Sequence, residues 1–365
     1  MMTQPSPLLL RSLLASVMLA ATAVLACSVP VFRYALEHWE ADPYQAVVFH
    51  RGALTQDQQA RVQALKPPAN AVETANLGVA TVDVSAEMSP DHAEIWKAQP
   101  KDAVLPRVVL RYPRSTGLRT DLAAMPLEEA AAWRIADSPA RQEILGRLGE
   151  GQSAVWVLLE SGDKAADDAA EKLLKERLDY LLGVLSLPQL DAQDIANGLV
   201  SVGQDDLRLD FSVIRLSRDN QDERALTAML MGSEEDLQGL ASQPMVFPVF
   251  GRGRALYALV GKGIAPETIE EAATFLIGKC SCQVKEQNPG IDLLFTADWK
   301  KLAQASPLLE RELPSLAALA KEAEPVTVTT QPAPAAPESG GGGVSWPVVG
   351  AVVLLLAMAV RLMKK

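Results

Sequence analysis

Cysteine and histidine are the scarcest chemistry-bearing residues in this chain: 365 residues carry three of each. Three cysteines do not make a disulfide-dense scaffold, and the many Val, Leu and Ala residues supply a core without one. Cys27, Cys280 and Cys282 are the whole set; no second Cys pair exists, and His38, His50 and His92 lie far from the 280s in sequence. A complete zinc-ligand pattern is therefore missing. Gly-x-Ser-x-Gly is absent, as is a Gly-x-Gly-x-x-Gly linking a strand to a helix, so no nucleophile elbow or dinucleotide fingerprint is expected. Positive charge is in deficit, with 34 basic against 45 acidic residues and a net charge of −11. Phosphate backbones repel such a surface, which excludes nucleic acid as the expected partner. Trp39, Trp96, Trp133, Trp156 and Trp299 are scattered, as core-filling residues are.

What the chain does have is an apolar run near each end. Val344–Val360 is seventeen residues without a charge, followed by Arg361, Lys364 and Lys365. As a helix it reaches roughly 25 Å, the short end of what spans a bilayer core. The flanking cations place its C-terminal end on the cytoplasmic side, so the expected topology is a single pass with the bulk extracytoplasmic, on the periplasmic side of a bacterial cell membrane. At the other end, Leu13–Ala26 has the length of a signal core, and Arg11 is the only charge in the first thirty residues. Three outcomes stay open there: cleavage after Ala26, lipidation of Cys27 at a loose lipobox, or an uncleaved anchor continuing through Ser28-Val29-Pro30-Val31-Phe32.

The region between repeats one plan. In the first copy Tyr44–His50 reads as a strand, Thr55–Leu65 as a helix, Leu77–Val84 as a strand and Pro90–Ala98 as a helix. Arg107–Tyr112 and Leu118–Ala123 read as a hairpin, and Pro126 opens a helix through Trp133. In the second copy Ala154–Leu159 is a strand, Ala165–Leu182 a helix, Leu207–Leu216 a strand and Ser233–Leu240 a short helix. Met245–Phe250 and Ala255–Val260 form the hairpin around Gly251-Arg252-Gly253-Arg254, and Pro266 starts a helix that Gly278 ends as a C′ glycine. Twenty residues separate Pro106 from Pro126, and twenty-two separate Pro244 from Pro266.

Strand, helix, strand, helix, hairpin, helix resembles the thioredoxin fold, and a proline before the third core strand resembles that family's cis-proline site. The resemblance implies an α/β chain of two tandem thioredoxin-like βαβαββα domains plus a C-terminal transmembrane helix. The expected layout is a signal peptide over 1–26, domains over 27–150 and 151–300, a helical extension over 301–323, a Pro/Gly linker over 324–343, the membrane helix over 344–360 and a cytoplasmic tail over 361–365. The family's Cys-x-x-Cys positions read His50-Arg51-Gly52-Ala53-Leu54-Thr55 and Glu160-Ser161-Gly162-Asp163-Lys164, with no cysteine in either. The resemblance therefore implies binding or scaffold modules without a redox centre or cofactor. Cys27–Glu37 and Met245–Gly263 also resemble segments of a group of uncharacterised bacterial envelope proteins, in which Cys27 has the option of pairing with the 280s.

Four features remain as site candidates. Cys27 is open to lipidation or a disulfide. Cys280 and Cys282, one residue apart, can form a disulfide, act as a redox pair or offer two soft ligands to a metal. Arg252 and Arg254 can meet an anion, or simply sit in a solvated turn. Glu128-Glu129, Asp167-Asp168 and Glu270-Glu271 read as solvated helix-surface pairs. The expected role is a membrane-anchored binding or accessory protein with an envelope protein partner, of the kind that serves a transport or assembly complex. The alternative is thiol redox or metal handling by Cys280 and Cys282.

Overall fold

A computed structural model describes residues 27–66, 72–280 and 284–304. These fall in one compact unit, Met1–Arg311. In chain order, α1 (Val31–His38) precedes β1 (Tyr44–His50), α2 (Gln56–Leu65), β2 (Thr74–Ala75), β3 (Leu77–Asp83), α3 (Pro90–Lys97), β4 (Arg107–Arg111) and β5 (Asp121–Pro126). A 3-10 turn, Leu127–Trp133, and α4 (Pro139–Gly149) lead to β6 (Ala154–Leu159). Then come α5 (Lys164–Val184), α6 (Ala192–Ala196), β7 (Phe211–Leu216), α7 (Arg224–Met231), β8 (Met245–Phe250), β9 (Arg254–Ala255), β10 (Leu259–Val260), α8 (Pro266–Ile277), β11 (Ile291–Asp292), β12 (Thr296–Ala297) and α9 (Trp299–Gln304).

The protein is a mixed α/β structure with two main sheets. The first runs β3-β1-β4-β5, with β1 parallel to β3 and antiparallel to β4, and β4 antiparallel to β5. The second runs β7-β6-β8-β9-β11, with β6 parallel to β7 and antiparallel to β8; β10 also pairs with β8. The Leu105–Pro106 peptide before β4 is cis, and no other cis peptide occurs among the described residues, Pro244 included.

Alternation along the strands sorts the core. Ala46 and Val48 of β1 and Val108 and Leu110 of β4 share one apolar cluster with Val155, Val157 and Leu159 of β6 and Phe247 and Val249 of β8. Residues of α4 and α7 complete that cluster, so one face of each sheet feeds a common core. The opposite face of the first sheet, Val47, Phe49 and Val109, meets Ile95 and Trp96 of α3. The opposite face of the second, Ala154, Trp156 and Leu158, meets α5, α8 and α1. Because both faces of β6 and β8 are covered, every residue of both strands is buried.

Several boundaries differ from expectation. The hairpin return begins at Asp121 because Arg114–Thr116 forms a 3-10 turn first. The Ala255–Val260 strand is split in two by its pairing with β8. Gly278 has φ −62°, an extended residue and not a left-handed cap, and its carbonyl accepts from Val31 N–H at 3.0 Å. The turn glycines do behave as expected: Gly251 has φ +57° and Gly253 φ +82°. A Cβ on Gly253 would lie 2.3 Å from Phe295 Cδ2, so both its conformation and its neighbour demand glycine.

No helix among the described residues is long and apolar enough to cross a membrane. The apolar runs at 13–26 and 344–360, the linker and Cys282 lie outside the described residues. The Ser28–Phe32 tract is described, and it is buried in protein.

Candidate functional site

The loops after β1 and β6 each join a strand to a helix, and neither contains a cysteine. Each is closed by the protein's own groups. At the first, Thr55 and Gln58 form a reciprocal capping box at the start of α2, and Gly52 N–H donates to Asp83 Oδ2 at 3.1 Å. Ser85, through its hydroxyl and its backbone N–H, holds the Asp83 carboxyl below the usual carboxylate range, so it stays an anion there. At the second, Asp167 reaches back from α5. Its Oδ1 accepts from Ser161 N–H and Oγ–H, both at 2.8 Å, and its Oδ2 accepts from Gly162 N–H at 3.1 Å. Asp163 caps the same helix through Ala165 and Ala166 N–H. Arg218 straps this loop to the segment before β8, donating to Glu160 O and to Gln243 O.

Asp167 is thus not the solvated surface acid its sequence suggests; it is 2% exposed. A helix N-terminus draws in an anion, and here the anion is built in. Asp167→Ala leaves the N–H groups of half-buried Ser161 and exposed Gly162 without their carboxylate and is expected to cost about 1 kcal/mol. Urea unfolding of the variant measures it, and an unchanged midpoint would contradict the placement.

The other candidates converge on the N-terminal tract. Cys27 and Cys280 are buried in the same cluster, 2% and 1% exposed. Their main chains are stitched together: Pro30 bridges Lys279, and Cys280 N–H donates to Val29 O at 2.9 Å. Cys27 Sγ accepts from Val29 N–H at 3.4 Å. Burial pushes the Cys27 thiol up, with the Val29 contact opposing and Asp194 reinforcing, which keeps it protonated and a poor nucleophile at neutral pH. Burial, and then Cys280 and Cys27, push the Tyr34 hydroxyl up as well. Ser28 is pinned by Asp194 and by the N–H of Asp191. No group of three His, Cys, Asp or Glu residues is positioned to hold a metal among the described residues.

Arg252 and Arg254 are engaged from within. Arg252 donates to Leu36 O and Glu37 O, both at 2.8 Å, satisfying carbonyls at the C-terminal end of α1. Arg254 is 6% exposed; it donates to Asp292 Oδ1 at 2.9 Å and to the carbonyls of Pro289 and Asn288, over the face of Trp39. The carboxylate that Arg254 holds is the protein's own. Lys285 joins the cluster, donating to Asp292 Oδ2 at 2.8 Å, Asp42 Oδ1 at 2.6 Å and Glu40 O. Lys285, Asp42 and Asp292 carry no local sequence signal, because Lys285 and Asp42 are 243 residues apart.

Two clefts flank the turn after β4. One, of 330 Å³, lies between α3 and the turn; its Arg111, Arg114 and Arg119 are each paired with an acid, Asp121, Asp91 and Glu94 in turn. The other, of 400 Å³, is lined by Thr116 and Leu118 on one side and by Glu234, Glu235, Tyr257 and Ile291 on the other. No family model matches the chain, and no curated protein matches it either.

Proposed function

We propose that this chain is a membrane-tethered, extracytoplasmic binding or accessory component of a bacterial envelope transport or assembly complex, built on two tandem thioredoxin-like units that have no redox centre. The carrying observation is the state of the two strand-to-helix junctions. Neither contains a cysteine, and Asp83 and Asp167 occupy the N–H groups that would otherwise meet an incoming anion or thiolate. The thioredoxin-like reading draws support from strand order: a parallel pair, then an antiparallel hairpin, appears in both sheets as β3-β1-β4-β5 and β7-β6-β8-β9. The tether reading draws support from the uncharged run Val344–Val360 and the cations behind it.

Removal of residues 344–365 is expected to release the protein from the membrane fraction, and a reporter fused at the C-terminus is expected to be active only in the cytoplasm. Retention in the membrane, or an active periplasmic reporter, overturns the tether. The alternative is thiol–disulfide chemistry or metal handling by Cys280 and Cys282. The former predicts exchange with a disulfide-bonded model peptide that is lost in Cys280→Ser. The binding reading predicts exchange no faster than the uncatalysed reaction.

A further inference from the structure

We infer that the cleft between the Thr116–Leu118 turn and the Ser233–Glu235 loop receives the basic side chain of an extended partner polypeptide. The alkyl stem would lie on the cleft's apolar floor and the cationic head between Glu234 and Glu235. This inference rests on the binding reading above and names the chemistry of what is bound.

At 400 Å³ the cleft is within the size range of small-ligand sites, about 300–1,000 Å³. Its lining comes from both sheets' segments, with Leu118 from the first half and Phe247, Leu256 and Ile291 from the second. These four side chains are apolar, and Phe247, Leu256 and Ile291 are buried beneath it. The mouth is acidic. Glu234 is fixed in place by Ala258 N–H, which donates to its Oε1 at 2.8 Å, and neither Glu234 nor Glu235 has an ion-pair partner among the described residues. Tyr257, half-buried, lines the wall. Burial and then the carboxylate of Glu271 push the Tyr257 hydroxyl up.

The neighbouring cleft provides the contrast. There every arginine already faces a carboxylate, and the charges cancel. Here two acidic residues line a cleft with an apolar floor, and no cation among the described residues pairs with them. A group that fits both demands has a long aliphatic stem and a positive tip, as Lys and Arg do. The apolar surface around Leu118 and Ile291 suits hydrophobic neighbours on a peptide better than a free polyamine.

The probe is a fluorescein-labelled peptide, Leu-Lys-Leu-Lys-Leu-amide, titrated against the detergent-solubilised full chain. A matched peptide with Gln in place of Lys is the control, and 1,5-diaminopentane is the small-molecule competitor. The lysine peptide is expected to bind at least about tenfold more tightly than the glutamine peptide, the equivalent of roughly 1.4 kcal/mol. Raising the salt is expected to weaken it. Glu234→Gln/Glu235→Gln is expected to erase the preference. The amide oxygen that this change leaves at position 234 still accepts from Ala258 N–H, so the fold is retained, and Glu235→Gln alone serves as a second variant that touches no partner. Equal binding of the two peptides, unchanged binding by the double variant, absence of binding, or full displacement by the diamine each overturns the inference. If the full chain remains membrane-bound while the variants bind as wild type does, this site falls and the tether reading stands.

Discussion

Asp292→Ala is expected to lower the unfolding free energy by about 3–5 kcal/mol, because it leaves the buried Arg254 without a carboxylate and takes one of two carboxylates from Lys285. Asp292 is 4% exposed and accepts from Arg254, from Lys285 and from the backbone N–H of Asp42. Without it, Arg254 keeps only carbonyl partners and Lys285 keeps Asp42 and Glu40 O. Urea unfolding of the variant reads the loss; a change below about 1 kcal/mol would mean that the cluster is solvated in solution. The same cluster has a pH signature. Burial alone raises the Asp42 carboxyl, but hydrogen bonds from Lys285 and Ser115 outweigh it and hold the group below its usual 3.8. Its contribution is therefore full above that value and disappears as pH falls through the lowered one. Burial alone lowers the Lys285 ammonium, yet Asp292 and Asp42 hold it above 10.5, so its contribution is full below that value and disappears as pH rises through the raised one. A plateau of stability between the two limits, lost at both ends and flattened in Asp292→Ala, is the expected profile.

Glu223→Ala is expected to cost a similar amount, about 3–5 kcal/mol, because two buried donors lose a charged acceptor. Glu223 is 1% exposed, and its oxygens accept from Ser138 Oγ–H at 2.6 Å and Ala140 N–H at 2.7 Å, so it caps α4 from across the fold. Ser138 Oγ in turn accepts from Arg141 Nε at 2.9 Å. Arg141 is fully buried, donates to the carbonyls of Ile135, Leu294 and Arg134, and is pushed down to about 10 by that burial. Asp137, the carboxylate with the stronger pull on the guanidinium, remains when Glu223 is removed, but a second nearby anion, Glu223 itself, is lost. Ser138→Ala keeps that anion and should cost less, about 1–2 kcal/mol. The ordering of the two variants in unfolding experiments is the check; equal losses would locate the effect in the cap and not in the charge.

Where a strand is covered on both sides, its sequence announces it. YQAVVFH, AVWVLL and MVFPVF are short apolar runs between turn residues, and the observed bounds Tyr44–His50, Ala154–Leu159 and Met245–Phe250 match the expectation to the residue. The helices opened by Pro90 and Pro266 also begin where the proline says they do. Other elements are hidden by physics that no local window contains. The buried stripe of α4 is interrupted by Arg141, a charge made tolerable by carbonyls near in sequence, at Arg134 and Ile135, and far from it, at Leu294, and by the carboxylates of Asp137 and Glu223. Helix α7, RALTAMLM, is overshadowed in the sequence by the Ser233 start signal that follows it, and only Leu237–Leu240 of that later stretch is helical, as a 3-10 turn. Helix α1 follows so closely on the leader-like run that its apolar residues read as a continuation of it. Among the site residues, sequence places Arg252 correctly in a tight turn, whereas Arg254 already opens β9, and it does not reveal their partners, which lie at Leu36, Glu37 and Asp292. Asp167 resembles one half of a surface acid pair because the loop that wraps its carboxylate is polar too.

The seat of the Cys27–Trp39 tract has a consequence for the order in which the molecule is made. This tract, early in the chain, is covered by α8 and tied to Gly278 and Cys280, roughly 250 residues later. During synthesis at about 5–20 residues per second, that interval lasts on the order of ten seconds to a minute. Throughout it, Val29, Val31, Phe32 and Trp39 are waiting for a surface that has not yet emerged. The native seat of the chain's first described residues thus exists only once residues near 280 have been made.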